Sequence, residues 1–336
     1  MDVNLKKLAQ QLNLSTATVS RALRNSHEVS ADTKKRVLEL ANKLNYQPNP
    51  FASSLRAHKS KTIAVIIPEI DNNFFSLAIN GIEEVAQENG YHVLIYLTHE
   101  KLQKEIEATR HLQNGRVDGV LISVSSETAN ADHILELEQK NIRIVFFDRI
   151  LEMLKSPKVT TDDYDSAFLA TEHLISNGCK RISYLQVSAD ISIGKIRFKG
   201  YQDALIKYKL PFDEALIIYG TKNVSQNYSA IKNLLQSKNP PDGIFSSVES
   251  LAIVTYYVCQ ELGLSIPDKL KVISFSNLTT AGLLSPSLTT ITQPAFEIGK
   301  EAATILFHLL KKNVYHYNMD ATLTSKLIVR DSTFSK

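Results

Sequence analysis

The stretch Leu5–Leu44 decides the fold of the first part of the chain, and it reads LKKLAQQLNLSTATVSRALRNSHEVSADTKKRVLELANKL. Its apolar residues recur at helical spacing, and the first such stripe is formed by Leu5, Leu8, Ala9 and Leu12. Asn13 follows at the position of a tight turn, where asparagine adopts a left-handed backbone more readily than most residues. The pattern therefore predicts a short helix that ends in a tight turn.

Two further helices are predicted after this turn. The second covers residues 16–23, and Ser15 can cap its N-terminus. The third covers about residues 31–44, with Ser30 or Asp32 as its cap. A helix, a short turn and a second helix form the unit that lays one helix in the major groove of DNA. The same pattern also fits a three-helix bundle that binds nothing.

Candidate DNA contacts lie on the second helix, and the charge of the chain supports them. Arg21 can donate two hydrogen bonds to one guanine, and the hydroxyls of Ser15, Thr18 and Ser20 suit phosphate oxygens. Residues 1–61 carry 11 Lys and Arg against 4 Asp and Glu, whereas the remaining residues carry 27 against 31. A basic module on a mildly acidic body favours an anionic partner for the first part alone.

Residues 47–60, QPNPFASSLRAHKS, are predicted to form a hinge helix or linker. Prolines precede a helix-compatible run of about seven residues, which is too short to be stable alone, so we expect it to fold on DNA. Leu55 is an apolar residue in a basic segment and is suited to wedge into the minor groove. Arg56 would add a phosphate contact. A plain linker with an incidental leucine is the alternative.

From residue 61 onward, apolar runs of strand length alternate with stretches of helical periodicity. The predicted strands form two series, at 63–68, 92–97, 120–123 and 144–148, and at 182–187, 216–219, 244–248 and 272–276. Near-continuous apolar strands separated by helices indicate parallel sheets covered on both faces, and two series indicate two doubly wound lobes. Ligands of such sheets bind beyond the carboxyl ends of the strands, so we expect a site in the cleft between the lobes.

Other classes of protein are not favoured by the sequence. It contains no GxGxxG, GxxxxGK[ST], GxSxG or HExxH motif, so we expect no enzyme, no cofactor and no metal site. A Rossmann-type enzyme would need the missing phosphate loop, and a sugar-transport component would need a signal peptide. Because there is no apolar run of membrane-spanning length, a cytoplasmic protein is expected. Its two cysteines, Cys179 and Cys259, are predicted to be buried free thiols.

Residues 5–56 resemble the headpiece of the lactose-repressor (LacI/GalR) family of bacterial transcription regulators. The run Ser15–Leu23 matches the recognition helix of that family almost residue for residue, and Tyr46-x-Pro48-Asn49 with Ala52-x-x-Leu55 matches its hinge. The similarity continues through the rest of the chain. The resemblance implies base reading by Thr16, Ala17 and Arg21. It implies further DNA contacts from the hinge residues Asn49, Ala52, Leu55 and Arg56.

This resemblance also implies a function and an architecture. The expected function is that of a repressor whose affinity for a pseudo-palindromic operator is modulated by a small molecule, a sugar or sugar derivative. The expected fold is an all-α helix-turn-helix headpiece (1–46) and hinge (47–60) before a two-lobed α/β core like a periplasmic binding protein (61–336). The N-terminal lobe would comprise residues 61–160 and 288–318, and the C-terminal lobe 161–287 and 319–336. A homodimer is expected.

Carried over from the family, the effector contacts would be Phe74, Phe75, Ser123, Asp148, Arg197, Val248 and Ser276. Alternatives remain: Asp148 as a structural partner of Arg149, Arg197 in a surface ion pair, and the two phenylalanines in plain core packing. The chain has Ser276-Asn277 where the family often has Asp, and Val248-Glu249 where it often has Asn-Asp. Because the usual sugar-binding set is incomplete, the effector is expected to be a less usual sugar, an oligosaccharide or a phosphorylated compound, or to be absent.

Overall fold

The computed structural model describes residues 4–23, 25–46, 60–113, 115–186, 191–221, 223–312 and 319–334. Contacts divide the chain into two units between Ser60 and Lys61. The first unit contains three helices, α1 (Leu5–Leu12), α2 (Thr16–Leu23) and α3 (Ala31–Lys43). Leu8, Val19 and Val37 are fully buried, one from each helix, and they form the centre of its core.

The helix ends of the first unit follow from local hydrogen bonds. Asn13 ends α1 with a left-handed backbone at φ 54°, and Ser15 Oγ accepts a hydrogen bond from Thr18 N at 3.1 Å at the start of α2. Ser30 caps α3 by accepting from Thr33 N at 3.3 Å. The predicted helices are therefore confirmed, and of the two candidate caps for α3 it is Ser30 that caps the helix.

Among the described residues, the second unit contains two six-stranded sheets. The strands are β1 (Thr62–Ile67), β2 (His92–Leu97), β3 (Gly119–Ile122), β4 (Arg143–Phe147), β5 (Lys158–Thr161), β6 (Ile182–Gln186), β7 (Ile217–Tyr219), β8 (Gly243–Ser246), β9 (Lys271–Phe275), β10 (Thr289–Thr292), β11 (Ala321–Leu323) and β12 (Lys326–Ile328). Helices cover both sheets, at Asn73–Glu88, Leu102–Leu112, Asp132–Gln139, Asp163–Ser176, Ser192–Lys207, Val224–Leu235, Glu249–Leu262 and Ala295–Lys312. The strands and helices near the predicted positions confirm the doubly wound α/β core.

The strand order positions the site. The first sheet has the order β11-β5-β4-β3-β1-β2, and the second has β12-β10-β9-β8-β6-β7. Every pairing is parallel except that of β10 with β12. The order reverses beside β1 in one sheet and beside β6 in the other. Ligands bind beyond the carboxyl ends of the strands at such reversal points, which directs attention to the loops after β1 and β3 in the first sheet and after β6 and β8 in the second.

Two segments, residues 289–292 and 321–323, each lie in the opposite lobe to the one predicted. Residues 289–292 were expected in the N-terminal lobe, but β10 pairs with β9 in the second sheet, where Leu288 and Ile291 are fully buried in the core. Residues 321–323 were expected in the C-terminal lobe, but β11 pairs with β5 in the first sheet. The chain therefore crosses between lobes after β5, after β10 and after β11.

Candidate functional site

The surface of α2 carries the predicted base-reading residues. Thr16, Ala17 and Arg21 are exposed, and Ser20 is half-buried. Arg21 Nε lies 3.1 Å from a Glu28 carboxylate oxygen, and both side chains are more than half exposed. Exposed ion pairs contribute little to stability. The Arg21 guanidinium can therefore exchange Glu28 for another acceptor at little cost in free energy.

The hydroxyl residues of this surface already have a structural role. Ser15 Oγ lies 2.9 Å from Thr18 Oγ1 and also caps α2. Each hydroxyl can take part in more than one hydrogen bond, so capping does not exclude a phosphate contact. The predicted hinge contacts Asn49, Ala52, Leu55 and Arg56 lie outside the described residues.

A cleft between the two lobes of the second unit contains a cavity of about 40 Å³. Its lining is rich in charged and polar groups from both lobes. The charged lining residues are Asp148, Arg149, Arg197 and Glu249, the aromatic ones are Phe74, Phe75 and Phe275, and the amides and hydroxyls are Asn72, Ser247, Ser276, Asn277 and Gln293. They follow the carboxyl ends of β1, β4, β6, β8, β9 and β10, which is where this fold predicts a site.

Of the predicted effector contacts, only Ser123 does not line this space. It is fully buried. Its Oγ lies 3.5 Å from Asp148 Oδ2 and accepts a hydrogen bond from Arg149 N at 3.4 Å. Ser123 therefore lies behind the wall of the cleft and supports two residues that form it. The other six, including Val248 at the start of the helix Glu249–Leu262, line the space.

Asp148 is held in the wall by its backbone. It has a left-handed conformation, with φ 60°, and its N–H donates to the Val159 carbonyl at 2.9 Å. Burial raises the pKa of its carboxyl to about 6, against the lowering effect of the Arg149 and Arg197 guanidinium groups. A buried carboxyl with a raised pKa in an accessible cleft is typical of a functional group.

Arg149 was expected at most as a structural partner of Asp148, but it lines the cleft and has another principal partner. Its Nη1 lies 2.6 Å from Glu100 Oε1, whereas its Nε lies 3.8 Å from Asp148 Oδ2. Burial would raise the pKa of Glu100, but Arg149 and the Ser126 N–H outweigh burial and lower it. Arg149 is therefore neutralised by a carboxylate that the sequence did not identify.

Arg197 does not form a surface ion pair, since only 3% of its side chain is exposed. Its Nε lies 2.6 Å from Asp163 Oδ1, and its Nη1 donates to the Ser247 carbonyl at 2.8 Å. The guanidinium carbon lies 3.8 Å from the centre of the Phe275 ring. This arrangement fixes the guanidinium against the C-terminal wall of the cleft.

Phe74 and Phe75 combine the two roles that the sequence left open. Both are buried in the core of the N-terminal lobe, with their rings edge to face at 5.3 Å, and Phe75 meets Phe147 in the same way at 6.4 Å. They also line the cleft. Core packing thus holds two aromatic rings at the wall of the cleft.

Two hydrogen bonds connect the lobes across the cleft. Asn73 Nδ2 donates to Glu249 Oε1 at 3.1 Å, and Ile150 N donates to Ser192 Oγ at 3.2 Å. Glu249 also accepts from Ser276 Oγ at 2.8 Å through its other oxygen. Its carboxylate lies at a helix N-terminus, where a negative charge is favoured.

The crossovers between the lobes are tied together by side chains. Asp162 Oδ1 accepts from Ser325 N at 2.8 Å, and Gln293 Nε2 donates to Thr161 Oγ1 at 3.0 Å. Asn277 Nδ2 donates to the Gln293 carbonyl at 2.7 Å. Gln293 and Asn277 also line the cleft. The hydrogen-bond network that ties the crossovers together therefore reaches the wall of the cleft.

The described part of the chain contains neither a metal site nor a membrane-spanning helix. Within it, no cluster of three or more His, Cys, Asp or Glu residues could hold a metal ion. None of its helices combines the length and the apolar character needed to cross a membrane. Cys179 and Cys259 are buried free thiols, as predicted, and burial raises the pKa of Cys259 to about 11.

The fold and the site define a class: a helix-turn-helix unit followed by a two-lobed α/β core of the periplasmic-binding type. Residues 4–49 match the family described as bacterial regulatory proteins of the lacI family, and residues 60–327 match the periplasmic binding proteins and sugar binding domain of the LacI family. The chain is 32% identical to the transcriptional repressor CytR of Escherichia coli K12, over 98% of this chain and 96% of that protein. The chain belongs to the LacI family of transcription regulators, which are not enzymes.

Two solved structures are similar to this one. A LacI family regulator from Enterococcus faecium with bound ribose is 27% identical, with a TM-score of 0.71 over 81% of this chain and 98% of that chain. The lac repressor dimer bound to operator and an anti-inducer is 21% identical, with a TM-score of 0.87 and complete coverage of both chains. The second likeness concerns the fold alone. It agrees with the predicted headpiece and two-lobed core.

Proposed function

We propose that this protein is a sequence-specific repressor whose affinity for a pseudo-palindromic operator is changed by a sugar or sugar derivative bound between the two lobes. The observation that carries the proposal is the cleft, in which buried ionic groups and aromatic rings from both lobes converge at the carboxyl ends of the strands. A concave site in which polar groups and aromatic rings converge is typical of small-molecule binding.

The chemistry of the cleft supports a sugar. Carboxylates accept hydrogen bonds from hydroxyl groups, and guanidinium groups donate in a fixed planar geometry. Asp148 and Arg197 supply these functions from opposite lobes, and the rings of Phe74 and Phe75 offer apolar faces beside them.

A control mechanism follows if the cleft changes shape on binding. An effector can alter DNA affinity only through different affinities for two lobe arrangements, and the coupling acts in both directions. The contacts from Asn73 to Glu249 and from Ile150 to Ser192 are those that a change in lobe arrangement would break or remake. The proposed coupling runs through the crossovers to the N-terminal lobe, whose first strand follows the hinge.

A homodimer in the cytoplasm is part of the proposal. One headpiece reads only a short half-site, so a pseudo-palindrome requires two copies related by twofold symmetry. Leu94 and Ile95 are 41% and 42% exposed on β2, an edge strand, and exposed apolar edges are sites of association. We propose that β2 faces the second copy. A monomer in sedimentation at micromolar concentration would contradict this.

Arg21→Ala should relax base choice at one position of each half-site. Losing a bidentate contact to guanine reduces discrimination at that base pair by roughly 1–3 kcal/mol, because no other exposed residue of α2 has a comparable donor pair. The measurement is a comparison of sequence profiles selected from a random duplex pool. Lys43→Ala, on α3, serves as a control. An unchanged profile for Arg21→Ala would refute this assignment.

Leu55→Ala should weaken specific binding far more than non-specific binding. An apolar wedge unstacks one base step and permits contacts that only the bent site provides, whereas non-specific binding depends mainly on phosphate contacts. Titration of the selected duplex and of a scrambled duplex at the same salt concentration measures both. An equal loss on the two duplexes would exclude the wedge role.

Asp148→Asn should stabilise the protein at neutral pH while weakening effector binding. The folded chain raises the pKa of Asp148 to about 6, so ionisation destabilises the folded state, by roughly 2–3 kcal/mol above about pH 7. The penalty shrinks as the pH falls and is nearly absent by about pH 3. Asparagine also tolerates the left-handed backbone. Between pH 4 and pH 8, the free energy of unfolding of the variant should exceed that of the wild type by an amount that grows with pH. A difference that stays constant over this range would contradict the prediction.

Thermal unfolding in the presence of sugars tests the proposed function. A ligand present at about 100 times its dissociation constant stabilises the folded state by about 2.7 kcal/mol. The panel contains monosaccharides, disaccharides and nucleosides. A stabilising ligand that also changes operator affinity supports the proposal. If no member of the panel raises the melting temperature, the assignment of a sugar effector is wrong.

A further inference from the structure

The guanidinium groups of the cleft are both engaged by carboxylates. Arg149 lies 2.6 Å from Glu100, and Arg197 lies 2.6 Å from Asp163. All four side chains are largely buried, with at most 14% exposed. Because each positive charge has its own negative partner at contact distance, neither arginine presents a net positive field to a ligand.

Two further carboxyl groups line the same space, and neither accepts a hydrogen bond from a guanidinium group in the described part of the chain. Asp148 lines the cleft and lies 3.8 Å from Arg149 Nε. Glu249 lines it from the other lobe, and its partners among the described residues are neutral donors, the amide of Asn73 and the hydroxyl of Ser276. Four carboxyl groups, two of them in the lining and two behind it, thus stand against two guanidinium groups at the cleft.

Glu100 is held in this position against the preference of its backbone. His99 and Glu100 are consecutive non-glycine residues with left-handed conformations, at φ 51° and 59°. Such conformations are costly and persist where the surroundings enforce them. The Ser126 N–H donates to Glu100 Oε2 at 2.7 Å, so both oxygens of the carboxylate are fixed. The backbone strain maintains the neutralisation of Arg149.

One donor of this arrangement remains available to a neutral acceptor. Arg149 Nε is buried and has no hydrogen-bond partner among the described residues, although Asp148 lies nearby. A hydroxyl oxygen can accept from this N–H and donate to the Asp148 carboxylate at the same time. A phosphate oxygen can accept but cannot donate, and it would lie among the carboxylates.

We propose that the cleft selects an uncharged sugar and rejects its phosphorylated or carboxylated derivatives, with Glu100 and Glu249 as the specificity-determining residues. This rests on the proposed function, because it requires the cleft to be the effector site. It replaces the sequence-based expectation that a phosphorylated compound could be the effector. A negative charge on a ligand about 10 Å from a carboxylate, at an effective dielectric constant of about 20, lowers the affinity of that ligand for the cleft roughly 10-fold. Several carboxylates together make the rejection strong.

Matched pairs of probes test this selectivity. Ribose and ribose 5-phosphate, and glucose and glucose 6-phosphate, are titrated against the full-length protein by calorimetry at pH 8. Where a sugar binds, we expect it to bind at least 10-fold more tightly than its phosphate ester. In Glu100→Gln and in Glu249→Gln this ratio should fall roughly 10-fold. Glu107→Gln, an exposed carboxylate on the helix Leu102–Leu112, is the matched control and should leave the ratio unchanged.

The outcomes separate the two proposals. A phosphate ester that binds as tightly as its free sugar, with binding lost in Arg197→Met, would overturn the selectivity and leave the effector site in place. An unchanged ratio in both glutamine variants would also overturn it, and the second variant guards against misfolding of the first. Binding that survives Arg197→Met, or no binding of any probe, would contradict the proposed function itself.

Discussion

Arg197→Met lowers the free energy of unfolding by about 3–5 kcal/mol, because removing one partner of a buried ion pair leaves the other charge uncompensated. Asp163 is 3% exposed and receives the Arg197 Nε at 2.6 Å, and the Ser247 carbonyl would lose its donor. The same substitution should abolish effector binding, because the guanidinium lines the cleft. Denaturant unfolding and the sugar titration measure the two effects separately.

The two effects of this substitution can be distinguished by a second change. The double variant Arg197→Met with Asp163→Asn removes both charges, so it should regain part of the stability but not the effector affinity. Arg110→Met, an exposed arginine at the end of the helix Leu102–Leu112, is the matched control and should change neither. If the stabilised double variant binds the sugar as the wild type does, Arg197 is a structural residue only.

Gly299→Ala should destabilise the protein by about 3 kcal/mol, the upper end of the range that is typical of overpacking. A Cβ at Gly299 would lie 1.9 Å from the Ala78 carbonyl oxygen, and a Cβ at Gly81 would lie 2.1 Å from that of Phe296. The helices Asn73–Glu88 and Ala295–Lys312 therefore cross at two glycines, and neither backbone can move away without separating them. Thermal unfolding measures the loss.

The control for this prediction is Gly282→Ala. The only atom near a Cβ there is Arg330 Nε, at 3.9 Å, so the melting temperature should change little. The crossing also bears on function, because the helix Asn73–Glu88 begins with residues of the cleft and the helix Ala295–Lys312 follows the crossover at Gln293. A melting temperature for Gly299→Ala equal to that of the wild type would show that these helices do not pack as described.

Local signals in the sequence were sufficient for the helices of the headpiece and for eight strands of the core, but not for β5 or β11. The bounds of α2 follow from an apolar stripe and from a cap at Ser15, both of which lie within ten residues of sequence. The parallel sheets follow from apolar runs separated by helical stretches. Family resemblance then placed Asp148, Arg197 and Ser276 beside one space, and the geometry agrees.

Long-range pairing was not accessible to the same signals. The sheets that receive β10 and β11 depend on partners far away in the sequence, so local periodicity could not assign these segments to a lobe. Nothing in the local sequence around Asp163 indicates its partner Arg197, which is 34 residues away. Arg149 was considered only beside its neighbour, whereas Glu100 is 49 residues away. In each case the deciding contact joins residues that no local pattern relates.

The most direct test of the account is the affinity of the full-length protein for a duplex selected from a random pool, measured by fluorescence anisotropy with and without the sugar that raises its melting temperature. The account predicts a palindromic selected sequence and a change in affinity within the range typical of allosteric coupling, about 5-fold to 150-fold. That change should disappear in the double variant of Arg197 and Asp163. A sugar that occupies the cleft while operator affinity stays the same would contradict the account.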